Sequence, residues 1–304
     1  KAEIDRIARS DAKVLITGES GSGKELVAQA IHDFSARSTK AFVAVNCAGL
    51  PETLLESELF GHVKGSFTGA YRDKLGKLEL ADHGTMFLDE IGEMTLRMQG
   101  LLLRFLETGE LQKVGADGGG SRHVNVRVIA ATNRDLRELI GQGAFREDLF
   151  YRLNVIHIVV PPLRDRREDI PLLIEQFLSH FISANRSAVT AGSPEAMKAL
   201  IEYSWPGNVR ELENVIERLV VTAHGTTIEV DHLSPDIRAQ DRITCCELEP
   251  GEAAALRVNL GPDQRVGVHL REGYDAMHAQ LPPRHGEVKL ARGLVLVDPP
   301  YESQ

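Results

Sequence analysis

The chain has 304 residues, 42% hydrophobic and 26% charged, with a formal net charge of -9. That is long enough for two or more domains with a sizeable core, while the acidic balance argues against a protein that coats nucleic acid nonspecifically. No apolar run reaches membrane-span length, the N-terminus lacks a signal-peptide pattern, and the three cysteines (Cys47, Cys245, Cys246) fit neither an even disulfide framework nor a zinc spacing, so a reducing, cytoplasmic setting is expected.

Residues 1–11 read as the end of a helix with Ile4 and Ile7 on one face. An apolar strand, Val14 to Ile16, then leads into GESGSGKE and a helical pattern from Leu26 to Ile31. The octet is Gly18, Glu19, Ser20, Gly21, Ser22, Gly23, Lys24 and Glu25. Its glycines let the backbone turn tightly and aim amide hydrogens inward, where they and the following helix N-terminus hold a phosphate chain. Lys24 adds a point charge for the outer phosphates. The match to G-x-x-x-x-G-K-[ST] is complete except for Glu25, which replaces the hydroxyl that usually helps to hold magnesium.

Ala41 to Asn46 reads as a buried strand, and Leu54 to Phe60 as a helix after the Pro51 turn. Asn46, at the strand end, either hydrogen-bonds a carboxylate of the nucleotide site, Glu90, or caps a local turn. Residues 61–72, GHVKGSFTGAYR, form a glycine-rich loop around Phe67 and Thr68. Either Phe67 tucks back into the core, or a partner covers it. The cost of leaving an aromatic in water favours the partner. In GTMFLDE, residues 84–90, Asp89 and Glu90 end an apolar strand. Asp89 is expected to hold magnesium through water, and Glu90 to polarise the water that attacks a terminal phosphate. Cradle and carboxylates together predict nucleotide hydrolysis.

Residues 96–107 form an amphipathic helix carrying Leu101, Leu102, Phe105 and Leu106, followed by a short hairpin from Gly109 to Val114 and a flexible GADGGG loop. Asn125 to Ala131 is a further buried strand; Asn133 beyond it either senses the terminal phosphate or caps the strand end. Arg146 and Arg152 lie in a segment of helical character, where they are either solvated or project from one subunit toward a nucleotide held by the next. After Pro161 and Pro162 the pattern is all helical: Ile170 to Ile182, Pro194 to Tyr203, and Gly207 to Val221. WPGNVREL, residues 205–212, places Arg210 at the start of the last helix, within reach of the phosphates.

With GESGSGKE, GSFTGA (65–70), GTMFLDE, ATNRDL (131–136), FREDLFYRL (145–153) and WPGNVREL falling in order, residues 1–238 resemble the central AAA+ domain of bacterial enhancer-binding proteins, the activators of sigma-54 RNA polymerase. That family commonly carries Glu at the position of Glu25. The resemblance implies an α/β AAA+ P-loop NTPase core with a parallel sheet over residues 1–162 and a small α-helical lid over 163–238. It implies ATP and Mg2+ as ligands, Lys24 on phosphate, Asp89 serving magnesium, Glu90 activating water, and Asn46 restraining Glu90 until the partner is engaged. Asn133 and Arg210 become the first and second sensors, and Arg146 and Arg152 fingers acting in trans within a ring, expected to be a hexamer. The loop of Gly65, Ser66, Phe67, Thr68, Gly69 and Ala70 would touch sigma-54, and hydrolysis would remodel the closed promoter complex of RNA polymerase into an open one. Two departures stand out: the family loop usually reads GAFTGA after a glutamate, and here Ser66 and Val63 occupy those positions. Hydrolysis should survive this better than sigma-54 contact. No helix-turn-helix follows the lid pattern, so DNA binding is not expected from these residues.

After Gln240 the pattern changes. ITCCELEPGEAAALRVNL, RVGVHLREGYDAM and GLVLVDPPYE read as strand, helix, strand and strand. The segment 239–304 resembles part of the bacterial 23S rRNA adenine-N6 methyltransferases of the J type, a Rossmann-like fragment. The resemblance rests on Asp298, Pro299, Pro300 and Tyr301, which in such enzymes meet the flipped adenine. By analogy with other Rossmann folds Glu247 would meet the cofactor ribose. No G-x-G loop precedes Glu247, and methyl transfer is expected to be absent.

Overall fold

A computed structural model of the chain describes residues 2–67, 70–116, 121–239, 245–247, 288–291 and 294–297. Lys1–Ile174 with Ser204–Val215 make one compact unit, and Glu175–Tyr203 with Ile216–Gln304 a second. The first unit opens with α1 (Ala2–Ala8), β1 (Val14–Thr17), α2 (Lys24–Asp33), β2 (Phe42–Asn46) and α3 (Glu52–Phe60). It continues through β3 (Gly61–His62), β4 (Lys74–Leu75), α4 (Lys77–Leu80), β5 (Thr85–Asp89) and α5 (Leu96–Thr108). Then come β6 (Glu110–Leu111), β7 (Arg122–His123), β8 (Arg127–Thr132), α6 (Leu136–Gly141), α7 (Glu147–Leu153) and β9 (Ile156–Val159).

Five of these strands pair in parallel in the order β2-β5-β8-β1-β9. β1 lies between β8 and β9, so the residues leaving β1, β5 and β8 emerge together at the carboxyl edge, where open α/β sheets bind ligands. Alternation along the strands divides the core. Leu15, Met86, Leu88, Val128 and Ala130 pack with Met98, Leu102 and Phe105 of α5 and Leu149 and Leu153 of α7. Val14, Ile16, Phe87, Ile129 and Ala131 face the other way, with Ala28 and Ile31 of α2 and Ile7 of α1. Helices on both faces explain why these strands read as continuous apolar runs.

The strand expected from Ala41 departs from that rule. β2 is an edge strand, and Val45 is its one buried residue, because among the described residues no strand pairs beyond it. The hairpin expected within Gly109 to Val114 is also wider: β6 pairs antiparallel with β7. Gly109 ends α5 at φ 70°, the left-handed region that favours glycine, with the exposed His123 ring beside it.

α8 (Ile170–Asn185) and α10 (Asn208–Thr222) contribute residues to both units; the second unit also holds β10 (Ala191–Gly192), α9 (Pro194–Glu202), β11 (Thr227–Ile228) and α11 (Pro235–Ala239). Ser193 caps α9, its hydroxyl accepting from Ala196 N at 3.3 Å with Pro194 in the first turn, and Ala199, Leu200, Leu219, Ile228 and Ile237 are buried. Of the tail, β12 (Cys245–Glu247), β13 (Val288–Ala291) and β14 (Leu294–Val297) are described, and they pair antiparallel. Asp298, Pro299, Pro300 and Tyr301 lie outside the described residues, as do Thr68 and Gly69. Among the described residues no helix is long and apolar enough to cross a membrane.

Candidate functional site

The cradle leaves β1 at Thr17 and enters α2 through Gly23, which is left-handed at φ 97°. No side chain caps α2, so the N–H groups of its first turn are free of side-chain partners at the positive end of the helix dipole. Lys24 is buried, and its Nζ donates to the carbonyls of Gly18 (2.9 Å) and Glu19 (3.2 Å). The same ammonium lies 3.8 Å from Glu90 Oε1. Ser22 Oγ is buried without a hydrogen-bond partner, an orphaned donor inside the loop. Glu25 and Ser20 are exposed.

The carboxylates follow at the end of β5. Asp89 Oδ1 accepts from Glu90 N at 3.0 Å, and Asp89 O accepts from Cys47 N at 2.9 Å. Glu90 adopts a left-handed backbone at φ 52°, unusual for a non-glycine residue and common where a side chain must be aimed into a site. Its Oε2 accepts from Asn133 N at 3.1 Å. Asn133 therefore joins the site through its backbone, and its side chain is exposed. Burial, then the charges of Asp89 and Glu90, push the Cys47 thiol well above its ordinary range, so it stays protonated and inert.

Asn46 does not reach Glu90: its Oδ1 accepts from Ala48 N at 2.8 Å, the local turn cap. That i to i+2 bond forms within the turn itself, whereas Glu90 is taken by Lys24 and the Asn133 amide. Arg146 stands at the N-cap of α7 with an exposed guanidinium, which clasps Asp148 at 3.0 and 2.7 Å. The Arg152 guanidinium is bound to Leu106 O at 3.1 and 3.3 Å. Neither of these bonds reaches the cradle. Arg210 does: its Nη1 lies 3.4 Å from Ser20 Oγ, and Val209 N and Arg210 N reach Gly21 O at 3.0 and 3.4 Å. Gly21, at φ 73°, is required there, since a Cβ would stand 2.4 Å from Gly207 O.

Three residues that the sequence motifs do not single out complete the cradle. Arg164 donates to both Glu19 carboxylate oxygens, at 2.9 and 2.5 Å. Asn208, fully buried and left-handed at φ 56°, donates from Nδ2 to Glu19 Oε2 and Ser20 O at 3.1 Å each, and accepts from Leu163 N at 2.8 Å. Arg166 donates to Ser22 O at 2.5 Å. The Arg164 guanidinium, helped by the Asn208 amide, lowers the Glu19 pKa to about 2. The Pro-Gly-Asn turn carried a usable signal, because Asn tolerates the left-handed region better than other non-glycine residues.

In the loop, Phe67 is half-buried and meets the His62 ring edge-on at 4.9 Å, while His62 Nδ1 lies 2.7 Å from Ser57 Oγ. Phe67 thus rests on His62 while keeping part of its ring open. Ser66 Oγ donates to Val63 O at 2.6 Å, and Gly65 N donates to Ala70 O at 2.8 Å.

The free α2 terminus, Lys24 and the orphaned Ser22 hydroxyl suit a phosphate chain. Among the described residues no cluster of three or more His, Cys, Asp or Glu could hold a metal alone.

Residues 1–159 match the sigma-54 interaction domain family, 164–245 the AAA+ ATPase lid domain, and 206–304 the family described as ribosomal RNA large subunit methyltransferase D, RlmJ. The regulatory protein AtoC of Escherichia coli K12 is 56% identical over 233 residues, 77% of this chain and 50% of AtoC. The transcriptional regulatory protein ZraR of Salmonella typhimurium is 55% identical over 237 residues, 78% of this chain and 53% of ZraR. The chain thus spans about half the length of the curated relatives it matches. NtrX from Brucella abortus, crystallised in complex with ATP, superposes with TM-score 0.72 at 37% identity, covering 85% of this chain and 57% of NtrX.

Proposed function

The chain belongs to the sigma-54 interaction domain family, and from that premise we propose that it is an ATP-hydrolysing activator core that remodels the closed complex of sigma-54 RNA polymerase to open promoters. The observation that carries this reading is Lys24 facing Glu90 at 3.8 Å across the carboxyl edge of the sheet, beside an uncapped helix N-terminus. Lys24 exchanges its loop carbonyls for the outer phosphates, and the first amides of α2 take the rest of the chain. Glu90, aimed by its left-handed backbone and the Asn133 amide, orients the attacking water and draws off its proton. Asp89 would hold magnesium through water, and the ion would neutralise phosphate charge there. Arg210 reports the cradle's state to the helical lid, residues 163–238.

Arg146 and Arg152 are surface groups whose present partners are one carboxylate and one carbonyl, which suits fingers that exchange those partners for a neighbour's phosphate. The active form is then a ring, proposed as a hexamer, working in the cytoplasm. The loop around Phe67 is the sigma-54 contact. Asn46 is left out of this scheme, because its side chain serves the turn. The direct test is Glu90→Gln: ATP affinity stays within about threefold while turnover falls by about 10³-fold or more. Full turnover in that variant would remove Glu90 from the base role.

A further inference from the structure

Gln99 is fully buried on α5, in the middle of an otherwise apolar stripe. Its Oε1 accepts from the backbone N–H of Arg146 at 2.8 Å, and its Nε2 donates to Met94 O at 2.8 Å and Ala144 O at 3.0 Å. The donor and acceptor ends are therefore not interchangeable: a flipped amide would lose all three bonds. Met94 closes the short turn that begins at Glu90, while Arg146 is the residue from which α7 starts. Leu106, two turns along the same face of α5, accepts from Arg152. One helix thus carries the anchor points of both arginines, and one buried amide joins the segment after Glu90 to the backbone of Arg146.

We propose that Gln99 is the positioning residue that sets Arg146 for use in a neighbouring subunit's nucleotide site. The inference rests on the trans-acting role given to Arg146 above. A guanidinium on a flexible stem is placed by its backbone origin and by its last partner. Asp148 supplies the second, and Gln99 fixes the first at a residue just outside the helix, where no intrahelical bond holds the N–H. Misplacing such a group by about 1 Å costs about 10²-fold in rate.

A buried glutamine that merely stabilises its own fold makes a different prediction when subunits are mixed. Gln99→Met conserves volume and removes all three bonds. Alone it should bind ATP within about twofold of the native chain yet turn over about 10²-fold more slowly. Lys24→Ala, which keeps the finger but loses the phosphate charge, should also be inactive alone. Mixed one to one, about a quarter of interfaces pair an intact cradle with an intact finger, and turnover should rise toward about a quarter of native. Arg146→Ala mixed with Lys24→Ala is the control for the trans-acting finger itself. Recovery in both mixtures supports the proposal. Recovery only with Arg146→Ala leaves the trans-acting finger standing and overturns the role of Gln99. Recovery in neither removes the finger reading and this inference with it. Should Gln99→Met be insoluble, Gln99→Leu also removes all three bonds, including the acceptor of the Arg146 N–H, and the same mixtures separate the same three outcomes.

Discussion

The phosphate cradle and the loop at residues 63–73 are both glycine-rich turns after a short strand, yet they are fastened in opposite ways. The cradle is held by side chains from far along the chain: Arg164 on Glu19, Arg166 on Ser22 O, Asn208 on Glu19 and Ser20 O, and Arg210 on Ser20. Among its described residues the loop is held chiefly by bonds of its own, Gly65 N to Ala70 O, Ser66 Oγ to Val63 O and Lys64 N to Asp73 Oδ1 at 2.7 Å. Its described ties to neighbouring elements include Phe67 on His62 and Val63 N to Val114 O at 3.1 Å. A turn fastened from several elements cannot change shape without disturbing all of them. A locally bonded loop gives up only a few net bonds, each worth about 1 kcal/mol, when a partner offers replacements. The contrast suits a rigid catalytic cradle and a releasable contact loop.

The largest effect is expected at Lys24, which ties the cradle together and is proposed to meet the phosphates. Lys24→Ala should weaken ATP binding by about 10²-fold, read by titration with a fluorescent nucleotide. Next in size, Asn208→Ala removes partners from Leu163 N–H, Ser20 O and Glu19 and forces alanine to φ 56°. It should cost about 2–4 kcal/mol in urea unfolding. On the loop side, His62→Ala removes the ring beneath Phe67 and the partner of Ser57. It should cost about 1–2 kcal/mol and leave basal ATP turnover within about twofold, while changing any response to sigma-54. A loss of basal turnover as large as that of a cradle variant would erase the contrast.

The smallest effect concerns pH. Glu19 has its folded pKa lowered to about 2, below the ordinary 4.5. Its pairing therefore stabilises fully above pH 4.5 and is lost as pH falls toward 2. Because the pair is partly exposed, the contribution is under about 1 kcal/mol. Glu19→Gln should flatten the stability profile across that window, measured by thermal unfolding, lowering stability by under about 1 kcal/mol near neutral pH and leaving it unchanged near pH 2.

Lys24, Asp89 and Glu90 were legible because their chemistry is local: a glycine turn after a strand, and carboxylates at a strand end, announce themselves within eight residues. The parallel sheet was legible from apolar runs, but its order was not. Only that order makes β2 an edge strand and leaves much of its surface open. Arg164, Asn208 and Gln99 escaped for a related reason, since an arginine or amide looks alike in sequence whether it is solvated or holds a partner across the fold. Asn46 and Phe67 show the reverse. Their contacts in the fold, Ala48 and His62, lie two and five residues away, so these local contacts fall within reach of a sequence reading.

ATP turnover per subunit against protein concentration, with and without purified sigma-54, tests the central claim most directly. The proposed ring with trans-acting arginines predicts a steep rise with concentration and a further response when sigma-54 is added. Turnover that is constant per subunit at every concentration and indifferent to sigma-54 would contradict it.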